Sequence, residues 1–483
     1  MMNDDLSNYI HNEILTRPNQ IEKQLSHNGK KYNHRLDFNY ITEFLDNFIE
    51  GDEINRYLVL PGLRDTGKTT ILYQVYEYLH NERKINANNI LYLSAEKLKS
   101  LFNMPLMEAI NTYLKLYHNS DMLNLEEKIF LLIDEAQCDK NWSITGKIAY
   151  DSSKNIFMIF TGSSALELEY NADSARRILK IPITPLNYSQ HLKLKYDFSN
   201  LNISKSIMDL IFDGKMDEAM ELEMKIFKNY SSIENYSIYE WDEYLNFGGF
   251  PSSFYQENHI TSQKLIDMIE RVVYKDMESF RDMTSKSQTY TKQLIYFLAL
   301  QRPGEISQNA MANHLGCPAS TVNTILSTLE KTHLIFHVEP YSLSPKRGNK
   351  TFKYYFATPS LRHALCLDLG IASNDPQAYK GRLLENLVAA IFNNLKNENG
   401  AFYKTYFDSK SKKKEKNVDF IVQRGFDNPI PIEVGIGNKR NTQIRSAIRK
   451  YKSDYGIVIS NNTAKIEKEY NIINIPVRTF SLM

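Results

Sequence analysis

Tyr57-Leu58-Val59-Leu60-Pro61-Gly62-Leu63-Arg64-Asp65-Thr66-Gly67-Lys68-Thr69-Thr70 is the stretch from which the rest of the chain is read. Tyr57 to Leu60 form an apolar run suited to a strand buried on both faces. Gly62 to Thr69 then fits the spacing G-x-x-x-x-G-K-[ST]. Beyond it, Ile71, Leu72, Val75, Tyr78 and Leu79 recur at helical spacing over 70–83. Strand, glycine-rich loop and helix start together suit a bound phosphate. The glycines let backbone N–H groups turn around it, and the helix dipole adds partial positive charge at the same point. Gly62, Leu63, Arg64, Asp65, Thr66, Gly67, Lys68, Thr69 and Thr70 are therefore the expected nucleotide-binding residues. Lys68 would reach the β- and γ-phosphates, and the Thr69 hydroxyl would bind Mg2+.

Hydrolysis at such a loop needs a second carboxylate beside the metal and a group that activates water. Ile129-Phe130-Leu131-Leu132-Ile133-Asp134-Glu135 supplies an apolar strand ending in two acids. Asp134 would hold Mg2+ through water, and Glu135 would orient or deprotonate the attacking water. A further strand, 155–160, ends in Thr161-Gly162-Ser163-Ser164. Two readings stand side by side there. Thr161 or Ser163 meets the γ-phosphate or the water, or these residues only cap a strand and begin a helix. Another strand-like run, 178–183, follows Arg176-Arg177. An arginine there can stabilise transition-state charge in its own site or a neighbour's; the competing reading is a solvated surface.

With these residues in place, 62–185 resembles the prokaryotic AAA-type ATPases that carry a C-terminal domain of restriction-endonuclease-like fold. The matching segments are Gly62–Thr69, Leu131–Gln137, Thr161–Ser164, Arg177 and Pro185-Leu186-Asn187-Tyr188, followed later by Tyr244–Pro251 with its Gly248-Gly249-Phe250-Pro251. The resemblance extends from about residue 35 to 460 and implies ATP and Mg2+ as cofactors. It also favours Arg177 over Arg176 as the catalytic arginine, beside Lys68, Glu135 and Thr161.

Residues 196–285 read as a helical lid without a catalytic constellation. In 286–360, a short helix at 306–315 (Ile306, Ala310, Met311 and Leu315 inward), a turn at Gly316-Cys317-Pro318-Ala319 and a helix over 321–333 capped by Ser320 precede two strand-like runs, 334–340 and 351–357. This is the outline of a winged helix-turn-helix. Lys346, Arg347 and Lys350 at the wing tip suit phosphates. The outward residues Asn323, Thr324, Ser327, Thr328 and Lys331 lack an arginine for reading guanine. Non-specific DNA contact is the expectation, with a purely structural winged helix as its rival.

Residues 361–483 give an αβββαβ order with Glu385 in the first helix, Asp419 in the second strand and Glu433 in the third. Three such acids can gather around Mg2+ to attack a phosphodiester. The segment resembles the restriction-endonuclease-like fold, whose strand motif ends in E-x-K. Here Gly435 stands at the lysine position, with Lys439 further on, so the expected site is degenerate. Its basic residues remain: Lys410, Lys412, Lys413, Lys414 and Lys416 in one loop, and Arg445, Arg449 and Lys452 on one helix face. Solubility and phosphate binding are both open readings of them.

Composition agrees. The chain of 483 residues has 58 Lys+Arg and 57 Asp+Glu. Residues 380–483 alone hold 19 basic and 10 acidic residues, a balance of +9 that leaves −8 for 1–379. Cys138, Cys317 and Cys366 cannot form a disulfide framework. No apolar run suits a membrane span, and the acidic N-terminus is unlike a signal peptide. The expectation is a cytoplasmic α/β multidomain protein. It comprises an N-terminal helical extension (1–34), a P-loop parallel-sheet ATPase core (35–195), the lid, the winged helix and the nuclease-like domain. Its expected partners are ATP, DNA through non-specific phosphate contacts, a protein partner and a second copy of the chain. The rival functions are an ATP-controlled nuclease and a nucleotide-gated interaction module that binds no nucleic acid.

Overall fold

The apolar runs of the first 184 residues become a parallel sheet covered on both faces. The computed structural model describes every residue except 1, 163–175, 200, 231–232, 278–283, 302–306, 342–350, 371–374, 400–401, 410–416 and 436–440. It separates into two units, 1–184 and 185–483. In the first, strands Tyr57–Pro61 (β1), Ile90–Ser94 (β2), Ile129–Asp134 (β3), Ile156–Gly162 (β4) and Leu179–Lys180 (β5) pair in the order β2-β3-β4-β1-β5, all parallel. Alternate residues of each long strand enter opposite cores. Tyr57, Val59, Leu131, Ile133, Met158 and Phe160 pack with helices Met2–Gln24 (α1) and Leu106–His118 (α4). Leu58, Leu60, Phe130, Leu132, Phe157 and Ile159 pack with Leu36–Glu50 (α2) and Lys68–Glu77 (α3). Burial on both sides explains why the runs show no polar alternation. Leu6, Ile10 and Ile14 of α1, a segment expected as an extension, are part of the first of these cores.

The register aligns the strand ends. Pro61 lies opposite Gly162, Leu60 opposite Thr161 and Ser94 opposite Asp134. All the residues expected to meet nucleotide from these strands therefore leave the sheet at one edge, where ligands of parallel α/β sheets bind. Helix Trp142–Ser152 (α5) connects β3 to β4.

The second unit begins with helices Tyr188–Tyr196 (α6), Leu201–Asp213 (α7), Asp217–Tyr230 (α8), Glu240–Phe247 (α9), Asn258–Arg271 (α10) and Ser285–Leu300 (α11). Gln308–Leu315 (α12) and Ala319–Lys331 (α13) are joined through Gly316 in the left-handed region. Two sequence expectations are corrected here. Pro318, in extended backbone, caps α13, and Ser320 lies inside it. Ala310 is exposed, while Met311, Ala312 and Leu315 are buried. Ile306 lies outside the described residues.

Strands Ile335–Pro340 (β6) and Lys353–Phe356 (β7) pair antiparallel. After helices Pro359–Asp368 (α14) and Pro376–Asn399 (α15) come Tyr403–Phe407 (β8), Phe420–Arg424 (β9), Ile430–Gly435 (β10), helix Thr442–Tyr451 (α16), Gly456–Ser460 (β11), Glu467–Glu469 (β12) and Ile472–Pro476 (β13). Instead of the four strands of αβββαβ, the described residues form one eight-stranded sheet, β12-β13-β11-β10-β9-β8-β6-β7. Its link to the hairpin is the parallel pairing Tyr406↔Glu339 and Phe407↔Pro340. Leu383, Leu384, Leu387 and Val388 of α15 cover one face; Ile444, Ala447 and Ile448 of α16 cover the other.

Candidate nucleotide-binding site

Between β1 and α3 the loop is shaped by two left-handed residues, Asp65 at φ 60° and Gly67 at φ 94°. Gly67 serves as the cap of α3, and its carbonyl already accepts the N–H of Ile71. Gly62 is required for a different reason: a Cβ there would lie 2.2 Å from the carbonyl oxygen of Ile183. Thr66 is fully buried, with its hydroxyl donating to the Leu63 carbonyl at 2.9 Å. Lys68 is folded over the loop, donating to the carbonyls of Gly62 at 3.0 Å and Leu63 at 2.5 Å. Burial pulls its ammonium down to about 8, against the opposing pull of Glu135 and Asp134. Leu63 is buried, Arg64 and Thr70 are half-buried, and Asp65 is exposed.

At the adjoining strand ends the carboxylate of Asp134 receives three hydroxyls: Thr69 at 2.8 Å, Thr161 at 2.5 Å and Tyr92 at 3.1 Å. Burial still lifts its pKa above the ordinary carboxylate value. Glu135 takes a left-handed conformation, φ 52°, uncommon for a residue with a side chain. Its N–H reaches the Thr161 hydroxyl at 3.4 Å, and Gln137 Nε2 donates to its carboxylate at 2.5 Å. Thr161 thus ties the two acids together. Tyr92 escaped the sequence reading, and Gln137 entered it only as the end of the matching segment Leu131–Gln137, without a role. Tyr92 sits in an apolar run, and only the pairing of β2 with β3 brings it to Asp134; for Gln137 the matching segment and its closeness to Glu135 in the chain were the available signals.

Arg177 pairs with Asp151 of α5 at 2.6 Å. Ser163 and Ser164 lie outside the described residues, as do the expected nucleic-acid residues Lys346, Arg347, Lys350, Lys412, Lys413 and Lys414. Arg445 and Arg449 are exposed on α16, Arg445 lying 3.8 Å from Glu469 and 5.6 Å from the Tyr470 ring.

Of the three acids expected in 361–483, Glu385 and Asp419 lie near enough to interact electrostatically, and each also has hydrogen-bond partners of its own. The Glu385 carboxylate accepts the Tyr355 hydroxyl at 2.8 Å and Lys353 Nζ at 3.4 Å. Its pKa is raised, first by burial, with Asp419 adding and Lys353 opposing. Asp419, one residue ahead of β9 rather than within it, accepts the Val434 N–H at 2.7 Å. Glu433 is buried in β10. Among the described residues no group of three His, Cys, Asp or Glu is arranged to hold a metal ion. Lys353 comes from β7, far from the E-x-K position, and no sequence signal pointed to it.

A glycine-rich loop with its lysine, a strand-end acid pair and a parallel sheet of this order define a P-loop core. Residues 54–192 match a family model described as an AAA domain. Residues 238–375 and 380–480 match two models, each described as a domain of unknown function. Over 485 aligned residues the chain is 31% identical to the uncharacterized protein MJ1637 of Methanocaldococcus jannaschii, covering 99% of this chain and 94% of that protein. The chain belongs to that protein's family. An uncharacterized protein of Haemophilus influenzae is 25% identical, with 67% of this chain and 72% of the relative covered. Among solved structures, the Walker-type ATPase PABY2304 of Pyrococcus abyssi matches 67% of this chain and 94% of its own at 15% identity and a TM-score of 0.39. The Aeropyrum pernix ORC1 protein in complex with DNA matches 69% and 91% at 12% identity and a TM-score of 0.30. No helix among the described residues is long and apolar enough to cross a membrane.

Proposed function

We propose that the protein binds Mg-ATP at Gly62–Thr70 and hydrolyses it. The observation that carries this reading is the Asp134 carboxylate, bonded by both Thr69 and Thr161 at the end of β3. Hydroxyl and carboxylate oxygens suit Mg2+, and loop N–H groups with an ammonium suit phosphate. When bound, Mg2+ supplies neutralisation of charge on the phosphate oxygens. Lys68 exchanges its two loop carbonyls for phosphate oxygens. Glu135, held by Gln137, accepts the proton of the attacking water, and Thr161 keeps Glu135 in register with Asp134. Arg177 leaves Asp151 to complete the site of a second copy. The test is steady-state ATP hydrolysis. Glu135→Gln is expected to keep ATP binding while its rate falls by about 10²–10⁴, and Lys68→Ala is expected to lose binding. Wild-type protein no faster than Lys68→Ala would refute the reading.

Nucleotide state is further proposed to control how the remainder of the chain engages DNA. In support stand two helices, α12 and α13, joined by a short turn and followed by a hairpin, as in a winged helix-turn-helix. The +9 balance of 380–483 and the exposed Arg445 and Arg449 also favour it. The carboxy-terminal module is proposed as restriction-endonuclease-like but non-cleaving, because Gly435 lacks the ammonium of that motif and Glu385 is already bonded to Tyr355 and Lys353. Residues 196–285 are proposed as a helical lid. Stimulation of hydrolysis by double-stranded DNA, lost as salt rises from about 50 to about 300 mM, is the expected result. An ATPase indifferent to DNA would turn the search to a protein partner.

A further inference from the structure

The guanidinium of Arg35 is buried at the start of α2, where it bridges the phosphate loop and the segment after β5. One arm donates to the Thr66 carbonyl at 2.8 Å and the other to the Thr184 carbonyl at 3.0 Å. The Nε donates to the Asp37 carboxylate at 2.8 Å, which fixes the plane of the fork. Thr66 and Thr184 are 31 and 149 residues away in the chain, so this convergence could not be read from spacing.

The consequence follows from peptide geometry. In a trans peptide the C=O and the N–H of one unit point in opposite directions. The Thr66 carbonyl shares its unit with the Gly67 N–H. Drawing that oxygen toward Arg35 therefore turns the Gly67 N–H the other way, and denies the oxygen a position from which it would repel an anion. Gly67, at φ 94°, is the residue whose torsions would otherwise let this unit flip at little cost. The second arm adds a brace. Ile183 donates its N–H to Pro61 at 2.8 Å, and its carbonyl lies where Gly62 would carry a Cβ. By holding Thr184, Arg35 keeps that segment against the first glycine of the loop.

We infer that Arg35 is a positioning residue for nucleotide, setting the Thr66–Gly67 peptide and bracing Gly62 so that the loop is shaped for phosphate before ATP arrives. This rests on the ATPase reading above. A planar fork can serve two carbonyls and a carboxylate at once, whereas a lysine ammonium is a single point. Arg35→Lys should therefore retain charge and fold while losing the geometry.

The experiment measures Mg-ATP affinity by equilibrium titration and kcat and KM by hydrolysis, for wild type, Arg35→Lys and Arg35→Met, with the thermal midpoint of each apo protein recorded. Arg35→Lys is expected to raise Kd and KM about tenfold, the scale of one lost charge-assisted hydrogen bond, with kcat at saturation within about threefold of wild type. Arg35→Met is expected to weaken binding further. If Arg35→Met does not fold, Arg35→Lys decides alone. A folded variant with a lowered thermal midpoint and unchanged Kd and KM would make Arg35 a stability element and overturn the inference. Wild-type protein that binds no ATP would instead overturn the ATPase reading, a distinguishable failure.

Discussion

At the scale of single residues, the second unit holds a fully buried carboxylate whose charge is compensated by side chains around it. Glu240 accepts His191 Nε2 at 2.6 Å, Lys195 Nζ at 2.8 and 2.9 Å, and the Tyr196 hydroxyl. Burial is the largest single influence and pushes its pKa up. The hydrogen bonds from His191, Lys195 and Tyr196 together outweigh it and hold the group at about 2. The folded value lies below the unfolded one, so the stabilisation is present above about pH 4.5 and fades as pH falls toward 2. His191, held below its ordinary value by burial, acts in the same direction, because the unfolded chain takes up that proton first. Glu240→Gln is expected to cost on the order of 3 kcal/mol at pH 7, and the gap to wild type should close on acidification. Urea midpoints from pH 7 to 2.5 measure it. A gap that stays constant would contradict the assignment of the charge. No part of this cluster was visible in the sequence, because α6 and α9 meet only in the fold.

At the scale of elements, the strand β1, its loop and the segment after β5 act as one packed piece. Gly62→Ala would set a methyl against the Ile183 carbonyl at 2.2 Å. Neither side is a flexible side-chain tip, so the strands must part. The expected cost is about 1–3 kcal/mol, with weaker ATP binding, read together from thermal midpoint and nucleotide titration; a wild-type midpoint would show that the backbone yields. This part of the molecule was the most legible in the sequence. The runs 57–60 and 129–133 are continuous because both faces are buried, and the motif residues sit at strand ends because the parallel register places them there. What could not be read is what arises from non-local pairing: Tyr92 on Asp134, Arg35 on Thr66, and Lys353 on Glu385. The cap of α13 was misread because Ser320 is a favoured cap by type, whereas the extended backbone that a cap requires falls at Pro318.

At the scale of the molecule, a five-stranded and an eight-stranded sheet organise the described residues, beside a small two-stranded pair at Ser26–His27 and Lys30–Lys31, and they share no strand. In the largest, the hairpin β6–β7 and the strands from β8 onward are continuous, although the family models divide at 375 and 380. The fragment 376–483 alone would expose the edge of β8, leaving Phe407 without the Tyr341 N–H and Pro340. It would also strip Tyr355 and Lys353 from Glu385. An unpaired edge invites association, so this fragment is expected to aggregate or be digested rapidly, whereas 185–483 should resist. Comparable protease resistance of the two would argue against the shared sheet. The same continuity limits how such genes can recombine. A crossover near codon 184 passes between structures with no strand in common, but one between codons 357 and 380 severs a sheet. The hairpin and the carboxy-terminal strands should accordingly be exchanged between lineages as one cassette.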